Sequence, residues 1–291
     1  IAGGDGNDDI AGDQANASIE NFFANITGGA DSVDGGLGND TLVGDQASAK
    51  TFHFHGDIVG GSDTLLGGDD NDVIAGDQST AITYGGFSDV RGGNDSIDGG
   101  EGDDLVAGDG FSASVLNAEF TEYVYGGNDD IAGGGGNDTI YGDWASAAGD
   151  GVFGGSDTIA GGLGDDSMDG QDGNDSLIGG DGADTLTGGG GSDTFGFQNI
   201  DDDSDTITDF TVGAGGDVLD VSNLLTGFDG SSNVDDFVQT DVVGGNTIVR
   251  VDADGAAGPA GFTEVAVLSG VSASVTELVD GGNIVLETGS G

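Results

Sequence analysis

A nine-residue pattern, G-G-x-G-x-D-x-U-x with U an aliphatic or aromatic residue, recurs along the first two thirds of the chain and restricts its fold more than any other feature. Clipped copies such as TGGADSV and VGGSDTL keep only the second half of the pattern. Full or near-full copies start at Gly3, Gly35, Gly67, Gly99, Gly133, Gly161, Gly170, Gly179 and Gly188. The U residue is apolar in every copy: Ile10, Val33, Leu42, Leu65, Ile74, Ile97, Val106, Ile131, Ile140, Ile159, Met168, Leu177, Leu186 and Phe195. Such a period is typical of a stacked repeat architecture.

The spacing between successive U residues alternates between 9 and 19 to 25 residues, and is 9 throughout the last copies. Two nonapeptides, 18 residues, would make one coil of a flattened solenoid, each giving a turn and a short strand. A 32-residue repeat is then one coil plus an insertion of 14 residues. We therefore predict an all-β fold, a flattened β-solenoid of about seven coils with lateral insertions. Each insertion leaves after a Gly-Asp pair, at Asp13, Asp45, Asp77, Asp109 and Asp143.

The composition changes near residue 197. Residues 1–196 contain 49 of the 64 glycines, and the remaining 95 residues contain 15. We place a domain boundary there, with the repeat solenoid at 1–196 and a second domain at 197–291. Stretches such as DTITDF, NTIVRVDADG and TEVAVLSGV alternate polar with apolar residues, which predicts strands joined by Gly/Asp loops in the second domain.

The charge of the chain excludes several partners. Acidic residues number 55 against 3 basic ones, for a net charge of −52. Nucleic acid and anionic membranes require Lys/Arg patches that this chain cannot supply, so we expect neither nucleic-acid binding nor membrane insertion. Cations are the natural partners. Cysteine is absent, no apolar run approaches the ~20 residues of a membrane span, and no signal peptide opens the sequence. We expect the chain to be the end of a longer protein or a processed product.

The aspartate of the pattern raises an electrostatic problem that a cation would solve. Equivalent residues of stacked coils lie roughly 4.8 Å apart, where two carboxylates repel by about 1 kcal/mol in water and about 3 kcal/mol at an effective dielectric near 20. Ca²⁺ takes six to eight oxygens from carboxylates and backbone carbonyls, whereas Mg²⁺ demands a tighter octahedron and Zn²⁺ prefers nitrogen and sulfur. We therefore predict several bound Ca²⁺ ions. The alternative is an acidic, solvated surface without specific ions.

Copies such as GGLGNDTLV, GGDGADTLT and GGGGSDTFG resemble the nonapeptide repeats of RTX (hemolysin-type calcium-binding) proteins. The resemblance implies a parallel β-roll in which turn aspartates and glycine-loop carbonyls hold Ca²⁺ between coils. The matching aspartates of full copies are Asp8, Asp40, Asp72, Asp104, Asp138, Asp166 and Asp184 on one edge, and Asp175 and Asp193 on the other. The glycines that open these turns are Gly3, Gly35, Gly67, Gly99, Gly133, Gly161, Gly179 and Gly188.

Some copies depart from the family pattern. Asp70 and Gln171 each replace a turn glycine. The clipped copies have lost the leading glycine pair to residues such as Ile26 and Thr27, so they are weaker candidates for ion sites. They keep an aspartate at the matching position: Asp31, Asp63, Asp95, Asp129 and Asp157.

The insertions share an alanine/serine-rich start and an aromatic-rich end. One interpretation is a second layer whose minor core buries the rings, and the other is an aromatic face for binding or self-association. The aromatic residues are Phe22, Phe23, Phe52, Phe54, Tyr84, Phe87, Phe120, Tyr123, Tyr125, Trp144 and Phe153. His53 and His55 alternate on one predicted strand face, which suggests either a transition-metal site or solvated strand residues.

The segment around ITDF and DVLDVSNLL is similar to the C-terminal target domain of RTX proteins exported by type I secretion. The resemblance implies a β-rich cap with an uncleaved export signal, and hence the type I secretion machinery as a partner. VDADGAAG resembles the start of an EF-hand loop but lacks the later acidic ligand, so we interpret it as a polar turn.

The sequence offers no constellation for catalysis. HExxH, GxSxG and P-loop patterns are absent, and there is no cysteine. We expect a non-catalytic, secreted protein at the cell surface or outside the cell, with a structural or adhesive role and contacts to itself, a cell surface or a matrix. Two alternatives stay open: the carrier tail of an RTX protease or lipase, and a self-assembling matrix or filament subunit.

Overall fold

The structure, a computed structural model, describes residues 1–13, 16–19, 25–51, 57–83, 89–115, 123–148, 151–200, 203–229, 231–255, 258 and 261–287. It is nearly all β, with four sheets formed almost entirely by parallel pairing. Sheets 1 and 2 form the two faces of a β-solenoid, and sheets 3 and 4 form a second layer built from the insertions. The predicted fold class, an all-β parallel β-roll, is confirmed.

Sheet 1 has ten strands, each following an acidic turn in the repeat region. A side chain points inward at every second position, so the buried U residues alternate with exposed neighbours, as in SVDGGL. Neighbouring strands pair with no shift between repeats, for example Val33 with Leu65 and Gly36 with Gly68. The strands are β1 (Ala2–Asp5), β5 (Ser32–Leu37), β9 (Thr64–Asp69), β13 (Ser96–Glu101), β17 (Asp130–Gly135), β21 (Thr158–Leu163), β23 (Ser176–Asp181), β25 (Thr194–Gly196), β27 (Val218–Asp220) and β31 (Ile284–Val285).

Sheet 2 has eleven strands and closes the other face of each coil. The turn GND or its equivalent carries the chain from a sheet 1 strand to a three-residue sheet 2 strand, and Leu42 pairs in register with Ile74. The strands are β2 (Asp9–Ala11), β6 (Thr41–Val43), β10 (Val73–Ala75), β14 (Leu105–Ala107), β18 (Thr139–Tyr141), β22 (Ser167–Asp169), β24 (Thr185–Thr187), β26 (Asp205–Ile207), β28 (Val238–Val243), β29 (Asn246–Val251) and β30 (Thr263–Leu268).

One continuous core fills the solenoid between sheets 1 and 2. Thirteen of the fourteen U residues are buried in or against it, and Ile10 of the first coil is half-buried. The core continues past Phe195 into Phe210, Leu219 and Leu268, so both sheets cross the predicted boundary at residue 197 without interruption. Burial of these side chains, at roughly 1.5–3 kcal/mol each, contributes the apolar part of the coil stability.

Sheets 3 and 4 stack beside the solenoid, each with five parallel strands. Sheet 3 contains β3 (Asn16–Ile19), β7 (Ser48–Thr51), β11 (Thr80–Thr83), β15 (Ser112–Val115) and β19 (Ala147–Ala148). Sheet 4 contains β4 (Ile26–Thr27), β8 (Ile58–Val59), β12 (Val90–Arg91), β16 (Tyr123–Tyr125) and β20 (Gly151–Phe153). A small core lies between these two sheets, made of Ile26, Ala49, Ile58, Ala81, Val90, Ala113, Val124 and Trp144.

The aromatic residues of the insertions divide between the inside and the outside of this layer. Trp144 is buried, but Phe153 is 49% exposed. Its ring packs on Tyr123 and Tyr125 with centroids 5.6 and 5.5 Å apart, and the Arg91 guanidinium lies 4.9 Å above Tyr125. The second layer is thus confirmed, but small aliphatic side chains fill most of its core. Phe22, Phe23, Phe52, Phe54, Tyr84, Phe87, Phe120, His53 and His55 lie outside the described residues.

The C-terminal end departs from the parallel pattern. The strands β28 and β29 form an antiparallel hairpin, and β29 pairs antiparallel with β30. Short 3-10 helices cover Ser222–Leu224 and Val234–Asp236, and helix α1 covers Val275–Gly281 with a capping box between Ser274 and Glu277. The VDADG stretch is a turn in which the Asp254 amide donates to the Asp252 carboxylate over 3.3 Å. An antiparallel hairpin ends the regular stacking on this side of sheet 2.

Candidate metal centre

The turn aspartates of the full copies on one edge form a ladder along the solenoid, here called the first ladder. Each backbone amide donates to the Oδ1 of the equivalent aspartate in the next coil, over 2.7–3.1 Å. The first ladder contains Asp8, Asp40, Asp72, Asp104, Asp138, Asp166 and Asp184, and it ends on Asp205. The carboxylates therefore lie one above another, as the repeat spacing predicts.

The opposite edge carries a second ladder with the same bonding, over 2.7–3.0 Å. It joins the clipped copies to the two late full copies in a single row. The second ladder contains Asp31, Asp63, Asp95, Asp129, Asp157, Asp175 and Asp193, and it ends on Asp217. The clipped copies thus present their aspartates in the same way as the full ones.

The second carboxylate oxygen, Oδ2, has no hydrogen-bond partner in most of the ladder aspartates. In thirteen of the ladder aspartates Oδ2 is buried and accepts no hydrogen bond from any described residue, although a buried, unsatisfied carboxylate oxygen is costly. These residues are Asp8, Asp31, Asp40, Asp63, Asp72, Asp95, Asp104, Asp129, Asp138, Asp157, Asp166, Asp175 and Asp193. A repeated defect of this kind indicates that the turns are built to hold a cation.

The first glycine of each turn forms the rest of the cradle. A Cβ added to Gly35 would lie 2.5 Å from both the Asp40 Oδ2 and the Gly67 carbonyl oxygen of the next coil. This convergence of a carboxylate and a carbonyl explains why only glycine fits there. The aspartate Oδ2 lies no farther than 2.5 Å from such a Cβ at each predicted turn glycine: Gly3, Gly35, Gly67, Gly99, Gly133, Gly161, Gly179 and Gly188. All of these candidate metal ligands are oxygen atoms, which Ca²⁺ prefers.

Two non-glycine residues show how strictly the turn conformation is kept. Asp70 has φ of 77° and Gln171 has φ of 73°, and within the described residues they are the non-glycine residues with positive φ. Both therefore adopt the left-handed conformation of the glycines they replace, at roughly 1–2 kcal/mol each. The Gln171 side chain accepts a hydrogen bond from the Asp143 amide over 2.9 Å and donates to the Trp144 carbonyl over 2.7 Å. These departures leave the turn path unchanged.

Burial makes several of the ladder carboxyls reluctant to ionise. It raises the pKa of Asp104 and Asp193 to about 6 and that of Asp166 to about 7, and neighbouring aspartates add to the effect. The pKa of Asp95 rises to about 8 for the same reasons. Without a cation, the folded turns of Asp166 and Asp95 therefore hold protons near neutral pH. A cation that replaces those protons would stabilise the ionised, folded form.

A third row of carboxylates, made of Asp13, Asp45, Asp77, Asp109 and Asp143, borders the second ladder. Sequence reasoning interpreted these residues only as markers of the insertions. In the structure, carboxylate atoms of Asp45, Asp63 and Asp77 lie within 4.8 Å of one another. The signal that could have found them is the Gly-Asp pair itself, because its aspartate stands where a continuous turn has its second glycine.

The fold and the turns define a class of protein: a parallel β-solenoid whose acidic, glycine-rich turns offer only oxygen ligands to a cation. The family model that describes four copies of the RTX calcium-binding nonapeptide repeat matches this chain at residues 27–47, 59–80, 90–112, 123–145, 153–186 and 161–195. The chain therefore contains RTX calcium-binding nonapeptide repeats, and calcium is its cation.

Two solved structures are similar to parts of the chain. The AlgE6R3 subunit of the Azotobacter vinelandii mannuronan C5-epimerase is 34% identical, over 45% of this chain and 74% of that one, with a TM-score of 0.33. The extracellular lipase LipA from Serratia marcescens is 18% identical, over 85% of this chain and 45% of that one, with a TM-score of 0.26. No curated protein matches the chain. No helix among the described residues is long and apolar enough to cross a membrane.

Proposed function

We propose that this chain is a secreted structural or adhesive calcium-binding repeat protein that folds when it meets Ca²⁺ outside the cell. The observation that carries the proposal is the paired ladders, in which thirteen carboxylates each keep one buried oxygen without a hydrogen-bond donor. Extracellular calcium modules bind with Kd values of about 10⁻⁴–10⁻³ M, so such turns would fill outside a cell and stay empty inside it. Calcium binding then acts as folding free energy.

The proposed ligands are the ladder aspartates and the carbonyls of the turn glycines. Each ion would lie between two coils, because the carboxylate of one turn and the glycine carbonyl of the next converge at the same point, as Asp40 and Gly67 do. The ion would neutralise charges that otherwise repel along the stack. Loss of one ion would therefore weaken the contact between two adjacent coils.

Residues 197–291 are proposed to form the cap and to carry the export signal for type I secretion. In support, β29 and β28 are the last two strands at one edge of sheet 2, and apolar side chains of this hairpin and of helix α1 join the main core. An export test would compare the full chain with a chain ending at residue 196 in cells that carry a type I exporter. Recovery of both chains in the medium would contradict this assignment.

The calcium dependence can be tested by circular dichroism of the full chain during a calcium titration, with magnesium as the control. The β signal should rise cooperatively with calcium, should not rise with the same concentration of magnesium, and should disappear in chelator. A β signal that persists after complete removal of divalent ions would refute the proposal. Sedimentation of the calcium-loaded chain separates a monomeric protein from a self-assembling matrix subunit.

A further inference from the structure

The second ladder differs from the first because its early turns are interrupted. The chain leaves the edge after Gly44 and Asp45, forms an insertion, and returns at Gly60 and Gly61. A Cβ on Gly44 would touch the Asp63 Oδ2 and the Gly76 carbonyl oxygen, just as a Cβ on Gly35 would touch Asp40 and Gly67 in an uninterrupted turn. Gly44 therefore opens the turn that Asp63 closes, and we call this arrangement a split turn.

A split turn such as this one carries a second buried carboxylate, that of Asp45, whereas the additional acids of the continuous turns, such as Asp69 and Asp70, are exposed. Asp45 follows the opening glycine directly, at the position where the continuous turn has Gly36 with φ of 108°. Five split turns follow one another along the edge, and they place their extra aspartates in a row beside the second ladder. Three carboxylates converge within 4.8 Å of one another in each of three clusters: Asp13 with Asp31 and Asp45, Asp45 with Asp63 and Asp77, and Asp77 with Asp95 and Asp109.

In the middle cluster, each carboxylate has one oxygen with a hydrogen-bond donor and one oxygen without. Each carboxylate has one oxygen held by hydrogen bonds: Asp45 Oδ2 accepts from the Gly61 amide over 2.9 Å, Asp63 Oδ1 from the Asp31 amide over 2.7 Å, and Asp77 Oδ2 from the Gly93 amide over 2.7 Å. The other oxygen of each carboxylate is buried and has no hydrogen-bond donor. The three residues are only 0%, 2% and 0% exposed, so solvent does not satisfy these oxygens.

We propose that each of these clusters binds one calcium ion through three carboxylates, two that flank an insertion and one from the next coil. This inference rests on the calcium-binding function proposed above. In the middle cluster the ion joins Asp45, which precedes the insertion, to Asp63, which follows it, and ties both to Asp77. The ion therefore closes the base of the insertion and fastens the second layer to the solenoid. Because three carboxylates surround it, the split-turn site favours a trivalent lanthanide over calcium more strongly than the continuous turns do.

The test uses Asp77, which the middle and last clusters share. Asp77→Asn keeps an oxygen that can accept from the Gly93 amide but removes the charge, and Asp98→Asn, on the exposed face of β13, is the matched control. The calcium ions bound to each full-length variant would be counted by native mass spectrometry. We expect Asp77→Asn to lose one or two ions, or to need at least tenfold more calcium to fill them, whereas Asp98→Asn matches the wild type.

If the wild type binds calcium and Asp77→Asn binds the same number of ions with the same affinity, the split-turn sites do not exist. If the wild type binds no calcium, it is instead the proposed function that fails. Should Asp77→Asn not fold, crystals of the wild type soaked in terbium give a direct answer. An anomalous peak among Asp45, Asp63 and Asp77 supports the proposal, and peaks confined to the continuous turns overturn it.

Discussion

Replacement of one ladder carboxylate should change the stability of the protein in opposite directions with and without calcium. Asp72 lies in the first ladder and is buried; its Oδ1 accepts from the Asp40 amide over 2.7 Å, and its amide donates to the Asp104 Oδ1 over 2.8 Å. Burial, with the nearby charges of Asp40 and Asp70, raises its pKa. Asp72→Asn keeps the oxygen that accepts the hydrogen bond and removes only the charge, so it isolates the electrostatic contribution.

The magnitude follows from the spacing of the ladder. Two carboxylates about 4.8 Å apart repel by about 3 kcal/mol at an effective dielectric near 20. Protonation reduces this repulsion, because burial raises the pKa of Asp104 to about 6. In chelator, Asp72→Asn should therefore stabilise the fold by about 1–3 kcal/mol. In calcium the variant loses a metal ligand. Removing a residue that only orients a ligand typically lowers metal affinity 10- to 100-fold, or by about 1.4–2.8 kcal/mol. Loss of the ligand itself should lower the calcium affinity of the site by at least this much.

Two measurements would show the reversal. Thermal unfolding in millimolar calcium should occur roughly 2–5 °C lower for the variant, because the unfolding entropy is about 2.1 cal/mol/K per residue and the chain has 291 residues. In chelator, the variant should need less of a stabilising osmolyte than the wild type to develop its β signal. Asp98→Asn, an exposed substitution with the same charge change, serves as the control. A shift of the same sign under both conditions would mean that the ladder carboxylates do not repel one another or do not bind calcium, and the reasoning would be wrong.

Three further predictions concern protons, the core and the turns. In chelator, the β signal should appear on acidification, because burial raises the pKa of Asp63 to about 7 and that of Asp95 to about 8 from an ordinary 3.8. The stabilisation by these protons is complete below about pH 4 and is lost as the pH rises through 7 to 8. A chain that circular dichroism shows to be fully unfolded at pH 4 would contradict this prediction. Leu65→Ala should cost about 2–5 kcal/mol in calcium, whereas Leu66→Ala, 42% exposed on the other face of the same strand, should change the denaturation midpoint little. Asp70→Gly should raise the melting temperature, since it relieves about 1–2 kcal/mol of left-handed strain; an unchanged or lower value would argue against strain at that turn.

The sequence predicted the regular part of the molecule because its period is short and its residue types are strict. An apolar residue at every U position predicts a core along the coil axis, and an aspartate at a fixed offset predicts a ladder. Both follow from strand geometry and from the unshifted pairing that identical repeats favour. The missing glycine pair predicts weaker ion sites in the clipped copies, yet Asp63 and Asp95 lie in the same ladder as Asp175.

The features that sequence reasoning missed depend on contacts between distant or irregular segments. Asp45 meets Gly61 across an insertion, and no local pattern shows that the chain returns to the same turn. Helix α1 is short and its two sequence signals, the Ser274 and Glu277 capping box and the glycine Gly282 at its end, lie within a segment whose alternation favours strands. The antiparallel hairpin of β28 and β29 likewise reflects tertiary packing at the end of the stack.

The unshifted pairing of the coils also fixes how the chain converts residues into length. β17 and β21 are separated in sequence by a coil with an insertion and β21 and β23 by one without, yet both pairs are direct neighbours in sheet 1. Each coil therefore adds one strand spacing, about 4.8 Å, to the length of the solenoid, whether it contains 18 residues or 32. Insertions make the solenoid wider but not longer. The number of coils sets its length and the insertions set its width, so duplication of a repeat would extend the protein by a fixed increment.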